Sequence, residues 1–201
     1  MSGLGQRLGL SWMTYNPVIF QHFHEHALRN APTVAGALVE TFPDARRFAD
    51  VGSGSGAFAA ELQRRGVDVQ ACEHGRAGRR MAARQGVECR PFDLMADPPA
   101  QLDGPFDVAY CFEVAEHVPP ELGDRLVAFT ASLAPAVVFS AARPGQGGIG
   151  HIHEQPQDYW VERFARAGRT HDAETSARLA ERFAAGGVTG DWFSENVMVY
   201  R

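Results

Sequence analysis

The chain has 201 residues, of which 45% are hydrophobic, 10% aromatic and 21% charged, with a formal net charge of -5. That composition excludes a disordered chain, and the length supports one domain with a sizeable core rather than two. No run approaches the roughly 18 apolar residues a membrane helix needs, and the acidic balance counts against bulk nucleic-acid binding.

Asn16 to Thr41 reads as helix, interrupted near Ala31-Pro32, with apolar residues at helical spacing. From Ala45 onward short apolar runs alternate with helical stretches. Arg47 to Val51 reads as strand, Ala57 to Arg65 as helix stopped by Gly66, and Val67 to Cys72 as strand. Arg76 to Gln85 follows as helix, then Val87 to Phe92 and Phe106 to Phe112 as strands. Pro120 to Leu133 is helical, Ala136 to Ala141 strand, Asp158 to Ala167 and Thr175 to Ala185 helices, and Val197 to Tyr200 a terminal strand. This alternation predicts an α/β fold, a parallel sheet with helices on both faces. Ligands of such sheets sit beyond the carboxyl ends of the strands, so the chemistry belongs in the segments that follow them.

The first such segment is Asp50-Val-Gly52-Ser53-Gly54-Ser-Gly56, between a strand and a helix. Glycines there allow a tight turn and let backbone N–H groups approach a ligand. Gly52-x-Gly54-x-x-Ala57 also satisfies a dinucleotide fingerprint, so the loop alone does not name its ligand. Glu73 ends the next strand, where a carboxylate can accept from two ribose hydroxyls. Asp93, in Pro91-Phe92-Asp93-Leu94, ends the third and is placed for an adenine amino group. Three acids in register with a glycine turn are a stronger pattern than the turn alone.

From about Phe48 to its C-terminus, the chain resembles the class I S-adenosylmethionine-dependent methyltransferases. Asp50 to Gly56 corresponds to their first motif, Glu73 to the ribose-binding acid, Asp93 to the adenine-side acid, and Phe106 to Glu113 to the fourth-strand motif. The resemblance implies a Rossmann-like, seven-stranded, mostly parallel sheet with an antiparallel last strand, here Asn196 to Tyr200. It implies that residues 45–201 form the methyltransferase domain, with 1–44 as an N-terminal helical lid segment. The cofactor implied is S-adenosylmethionine, held by Asp50, Gly52, Ser53, Gly54, Gly56, Glu73, Asp93, Leu94 and Phe112. A nicotinamide enzyme usually needs a second nucleotide half and a substrate domain, for which 201 residues leave little room.

After the fourth strand comes Glu113-Val-Ala-Glu116-His117, and after the fifth a Gly-rich loop carrying His151 and His153. Two Glu and two His form an oxygen–nitrogen set suited to Mg²⁺, Mn²⁺ or Fe²⁺ rather than a thiolate zinc site. A similar Glu-x-x-Glu-His segment with a later His occurs in small-RNA 3′-terminal 2′-O-methyltransferases and in ubiquinone-pathway O-methyltransferases. Carried over, the candidate ligands are Glu113, Glu116, His117 and one of His151 or His153, with His153 the expected one. Without a metal, His117 or His153 could serve as general base with Glu113 lining the site, or proximity alone could suffice.

Other features have plainer readings. His22, His24 and His26 cluster with Glu25, and His22 and His26, four apart, share a helix face at a spacing that can bind metal; fortuitous exposed histidines are the plain reading, and substrate selection by Tyr15 to His26 within a lid the functional one. Arg76, Arg79, Arg80 and Arg84 read as a solvated face, and Tyr159, Trp160, Phe164, Trp192 and Phe193 as packing. Met1 to Leu10 lacks the order of a signal peptide. Cys72, Cys89 and Cys111 match no zinc spacing, which suggests a reducing cytoplasm. All 19 basic residues are Arg, a compositional bias without functional reading. The expected function is O-methylation of a small-molecule acceptor, away from membranes, with the oligomeric state open. A metal-assisted 2′-O-methyltransferase of a nucleotide or RNA terminus and a non-catalytic S-adenosylmethionine-binding scaffold remain as alternatives.

Overall fold

The computed structural model describes residues 17–201. The Gly-rich segment 1–10 and Tyr15 lie outside the described residues, as does the side chain of Trp192. Helix α1 (Pro17–Thr41) leads into β1 (Arg47–Val51), α2 (Ala57–Arg64), β2 (Asp68–Glu73), α3 (Arg76–Arg84), β3 (Cys89–Pro91) and β4 (Val108–Phe112). Two short 3₁₀ turns (Ala115–His117 and Pro120–Leu122) precede α4 (Gly123–Leu133) and β5 (Ala136–Ser140). Then follow α5 (Gln157–Arg166), α6 (Ala173–Ala185), α7 (Asp191–Asn196) and β6 (Met198–Tyr200). None of the described helices is long and apolar enough to cross a membrane.

Among the described residues the sheet has six strands in the order β3-β2-β1-β4-β5-β6, parallel except for β6 against β5. The antiparallel last strand agrees with expectation; the expected count of seven does not. The seventh position is taken by residues 170–172. Thr170 and Arg201 exchange backbone hydrogen bonds, Asp172 N–H bonds Val199, and His171 makes a single antiparallel bridge to Tyr200. Gly168 (φ 79°) ends the segment after α5, and Asp172 already caps α6, so too little chain remains for a strand.

Strands β4 and β5 are buried throughout, and their side chains alternate between two cores, as the two-residue period of a strand requires. Val108, Tyr110, Phe112, Ala136 and Val138 join Leu38, Leu62, Leu179 and Phe183 under α1, α2 and α6. Ala109, Cys111, Val137 and Phe139 join Leu126, Phe129, Trp160 and Phe164 under α4 and α5. The expected break at Pro32 does not occur: α1 continues through it. Proline forfeits one backbone bond, but Val34, Ala35, Ala37 and Leu38 beyond it are buried in the core, and that burial holds the next turns in place. Strand β4 starts later than Phe106 because the Asp107 carboxylate turns to accept the backbone N–H groups of Arg46 and Arg47 at 2.7 and 2.9 Å.

Candidate functional site

The parallel register brings the carboxyl ends of β1, β2, β4 and β5 to one edge of the sheet, and the strand order reverses between β1 and β4. Two cavities open there. The smaller, about 330 Å³, is lined by Gly52, Gly54, Glu73, Phe92, Asp93, Leu94, Val118 and Leu122 among others. The larger, about 430 Å³, is lined by His22, Phe23, His26, Asn30, Asp50, Gly52 to Ser55, Phe58, Phe112, Glu116, Gln146, His151 and Phe193 among others. Both include Phe23, Gly52, Gly54, Glu113 and His117.

The turn after β1 is shaped by close approaches. Gly52 has φ 77°, and a Cβ there would lie 2.5 Å from Val114 Cγ2. Gly54, φ 55°, has nothing within 4 Å of where its Cβ would be, so it offers bare backbone to the cavities. Gly56 is placed differently from its expected cofactor role: it lines neither cavity and packs on Ala82, which a Cβ would approach to 2.8 Å. Glu73 accepts the backbone N–H of Gly54 at 2.9 Å and of Gly75. One bond per oxygen leaves each with a second lone pair. Burial raises its pKa against those two bonds.

Burial pushes the Asp50 carboxyl up to about 8, against a hydrogen bond from Tyr110 and with help from the Glu73 charge. Its Oδ2 nevertheless takes no hydrogen bond of ordinary geometry. Asp93 is exposed beside Leu94 on the wall of the smaller cavity and uses Oδ1 to accept Met95 N–H at 2.8 Å. Arg79, placed by sequence in a solvated face, is half-buried and donates to the carbonyls of Glu73 and His74, which closes the turn after β2.

Beyond β4, Glu113 adopts φ 53°, a left-handed conformation that costs a non-glycine residue about 1 kcal/mol. Its N–H bonds Ser140 O at 3.0 Å, which holds that geometry. The Asn196 amide of α7 donates to its carboxylate at 3.2 Å, and Gln146 at 3.4 Å. Glu116 is fully buried, and neither side-chain oxygen takes a hydrogen bond of ordinary geometry. Burial, then the Glu113 charge, drives its pKa well above the usual carboxylate range. Burial and the neighbouring His151 bring His117 down to about 4. Its Nδ1 lies 3.3 Å from Gly150 O; a carbonyl only accepts, so Nδ1 carries the proton and Nε2 the lone pair.

Glu116, His117 and His151 each offer a ligand atom within 4.8 Å of the others. The expected fourth member, His153, is not there. Its backbone N–H bonds Glu116 O, but its ring turns away to Tyr159 Oη at 2.7 Å and packs on Trp160. Positions two apart in an extended strand would share a side, but 151–156 has no regular structure, and with the N–H groups of Ile152 and His153 both bonded to Glu116 O the two rings point apart. Glu113 stands beside the group, engaged with Asn196 and Gln146. Glu154, which sequence did not single out, holds His151 Nδ1 at 2.8 Å and accepts N–H from Gly145 and Gly147. The His151 bond lowers the Glu154 pKa. Its only sequence signal was a carboxylate three residues after a loop histidine.

The histidines of α1 are not merely exposed. His22 and His26 line the larger cavity, His24 Nδ1 lies 2.9 Å from Ser55 Oγ, and Asn30 donates to His26 Nε2. Trp160 and Phe164 pack in the core as expected, as does Phe193, although Phe193 also borders the larger cavity.

The family described as "Methyltransferase domain" matches residues 20–183. An "Uncharacterized methyltransferase" of Mycobacterium sp. (strain JLS) is 34% identical over 111 residues, covering 47% of this chain and 38% of that protein. The "Ubiquinone biosynthesis O-methyltransferase" of Aeromonas salmonicida (strain A449) is 29% identical over 119 residues, 57% of this chain and 46% of that protein. The chain thus spans less than half the length of these curated relatives. Among solved structures, the amino pentose methyltransferase CalS10 of Micromonospora echinaspora superposes with a TM-score of 0.64 at 17% identity, covering 90% of this chain and 95% of that one.

Proposed function

The chain belongs to the methyltransferase-domain family, and from that premise we propose that it transfers a methyl group from S-adenosylmethionine to a hydroxyl oxygen of a small metabolite. The observation that carries this reading is that the two cavities meet at Gly52, Gly54, Glu113 and His117. A nucleoside end fits the smaller cavity and an acceptor the larger, with the glycine turn between them.

Asp93 and Leu94 border the adenine end, and Glu73 offers its second lone pairs to the ribose hydroxyls. Asp50, with an unpartnered oxygen on the wall of the larger cavity, suits the ammonium of the cofactor's amino-acid end. When bound, S-adenosylmethionine supplies a methyl carbon made electrophilic by its sulfonium sulfur. Phe23, Phe58 and Phe193 wall the acceptor side and exclude water from the approach. His22, Phe23, His26, Ala27 and Asn30 of α1 form part of that wall, and on that ground the N-terminal segment is assigned a lid role.

The donor set Glu116, His117 and His151 also fits a divalent cation of the Mg²⁺, Mn²⁺ or Fe²⁺ class. Glu116 brings two buried oxygens without ordinary hydrogen bonds, and His117 a neutral ring with its lone pair on Nε2. Such a cation would lower the pKa of an acceptor hydroxyl and fix its direction. Glu113, beside this group and lining both cavities, orients the acceptor. The O-methyltransferase name of the Aeromonas relative supports an oxygen acceptor. Three free thiols accord with a reducing cytoplasmic setting.

Titration of S-adenosylhomocysteine into metal-stripped protein, followed by calorimetry and repeated with Mn²⁺, tests both parts. We expect cofactor-product binding in each condition, and a Mn²⁺ heat that disappears in Glu116→Ala. Binding without a Mn²⁺ response would remove the cation and leave proton transfer to His117 or proximity. Absence of S-adenosylhomocysteine binding would overturn the reading.

A further inference from the structure

The loop 145–150 carries four glycines and no regular structure, yet it delivers His151 to a fixed place. Beside the bonds of Gln146 to Arg143, Glu113 and Asn196, one side chain ties it to His151. Glu154 Oε2 accepts Gly145 N–H at 2.9 Å, and Oε1 accepts both Gly147 N–H at 2.7 Å and His151 Nδ1–H at 2.8 Å. Resting on the reading of Glu116, His117 and His151 as one donor set, we propose that Glu154 is a positioning residue. Its carboxylate fixes which nitrogen of His151 carries the proton and holds the loop that presents this ring to His117.

A carboxylate only accepts hydrogen bonds, so Nδ1 must be the protonated nitrogen and the lone pair of the neutral ring falls on Nε2. The His151 and His117 rings lie edge to face, with centroids 5.0 Å apart. The two rings are set alike: each has Nδ1 turned to an oxygen acceptor, Gly150 O for His117 and Glu154 for His151. A second feature reserves the room for this arrangement. A Cβ on Gly148 would fall 2.3 Å from His151 Nε2, so any side chain there displaces the ring. A carboxylate that orients an imidazole donor and raises its basicity is a recognised way to tune a ligand, and its loss typically weakens metal binding 10- to 100-fold.

The test uses the full chain with ¹⁵N-labelled histidine and three variants. In the unmodified protein, long-range ¹H–¹⁵N correlation should find His151 protonated at Nδ1 and bare at Nε2. In Glu154→Leu, which has no acceptor, the tautomer should become mixed, while S-adenosylhomocysteine affinity stays the same. Mn²⁺ affinity should fall about 10- to 100-fold in that variant and recover in part in Glu154→Asp. Gly148→Ala should weaken Mn²⁺ binding. A neutral His151 ring protonated at Nε2 in the unmodified protein overturns the proposal, whatever the variants do. So does a Glu154→Leu protein whose tautomer and Mn²⁺ affinity both match the original. If no form binds Mn²⁺ but Glu154→Leu still mixes the tautomer, the cation reading fails and the positioning role of Glu154 stands.

Discussion

Gly52 joins two demands that a sequence expresses only as one letter: a backbone at φ 77° and a neighbour, Val114, where a Cβ would have to go. Gly52→Ala meets left-handed strain of about 1–2 kcal/mol and a contact with the segment that carries Glu113. We expect a lower unfolding midpoint in urea, and S-adenosylhomocysteine binding weakened at least tenfold, because the turn borders both cavities. Equal affinity would mean that the turn does not touch the cofactor. The acids Asp50, Glu73, Asp93, Glu113 and Glu116 were legible from their positions after strands, since strand ends sit at the ligand-bearing edge in a parallel sheet. His151 and His153 were not separable in this way. Both follow the same loop, and the hydrogen bonds from Ile152 and His153 N–H to Glu116 O, with those of His151 to Glu154 and of His153 to Tyr159, decide which ring faces the site.

At the scale of elements, the segment from Thr170 to Thr175 illustrates how a helix start can take the place of a strand. Asp172 caps α6 by accepting Thr175 N–H at 3.0 Å and also holds Arg201 at 3.0 Å, which ties the helix to the end of β6. The Thr175 N–H, followed by Arg201, lowers its pKa from 3.8 to about 2. A depressed folded-state pKa means that the stabilisation is complete above about pH 4 and is lost as pH falls through about 2. Asp172→Ala should therefore cost about 1 kcal/mol at pH 7, and the gap from the original protein should close between pH 4 and 2 in urea unfolding. A gap unchanged across that range would show that the carboxylate is not the cap. The expected helices agreed with the structure to within a few residues, but α7 (Asp191–Asn196) was not expected, and it takes Asn196 out of the last strand. Pro32 did not break α1, because burial of Val34 and Leu38 outweighs one lost backbone bond.

Across the whole molecule the sheet separates two cores, one holding Leu38 and the other Leu126. Each side chain is fully buried, so truncation to Ala should cost about 2–5 kcal/mol. With the sheet between them, the two losses should add to within about 0.5 kcal/mol in a double-mutant cycle. A larger coupling would mean that the two faces respond to strain as one body. By itself the sequence determined the α/β class, the glycine turn and the acids that follow the strands. Each rests on local rules: the two-residue period of strands, helix stop signals and the chirality of a tight turn. The tertiary structure alone decided that His151 rather than His153 joins His117 and that Glu154 holds it. It also decided that Gly56 serves packing and that residues 170–172 stop short of a seventh strand. Apart from the Glu154–His151 bond, which spans three residues, these outcomes depend on contacts between segments far apart in the chain, where burial and backbone hydrogen bonding select one side-chain direction from several that local sequence leaves equally open.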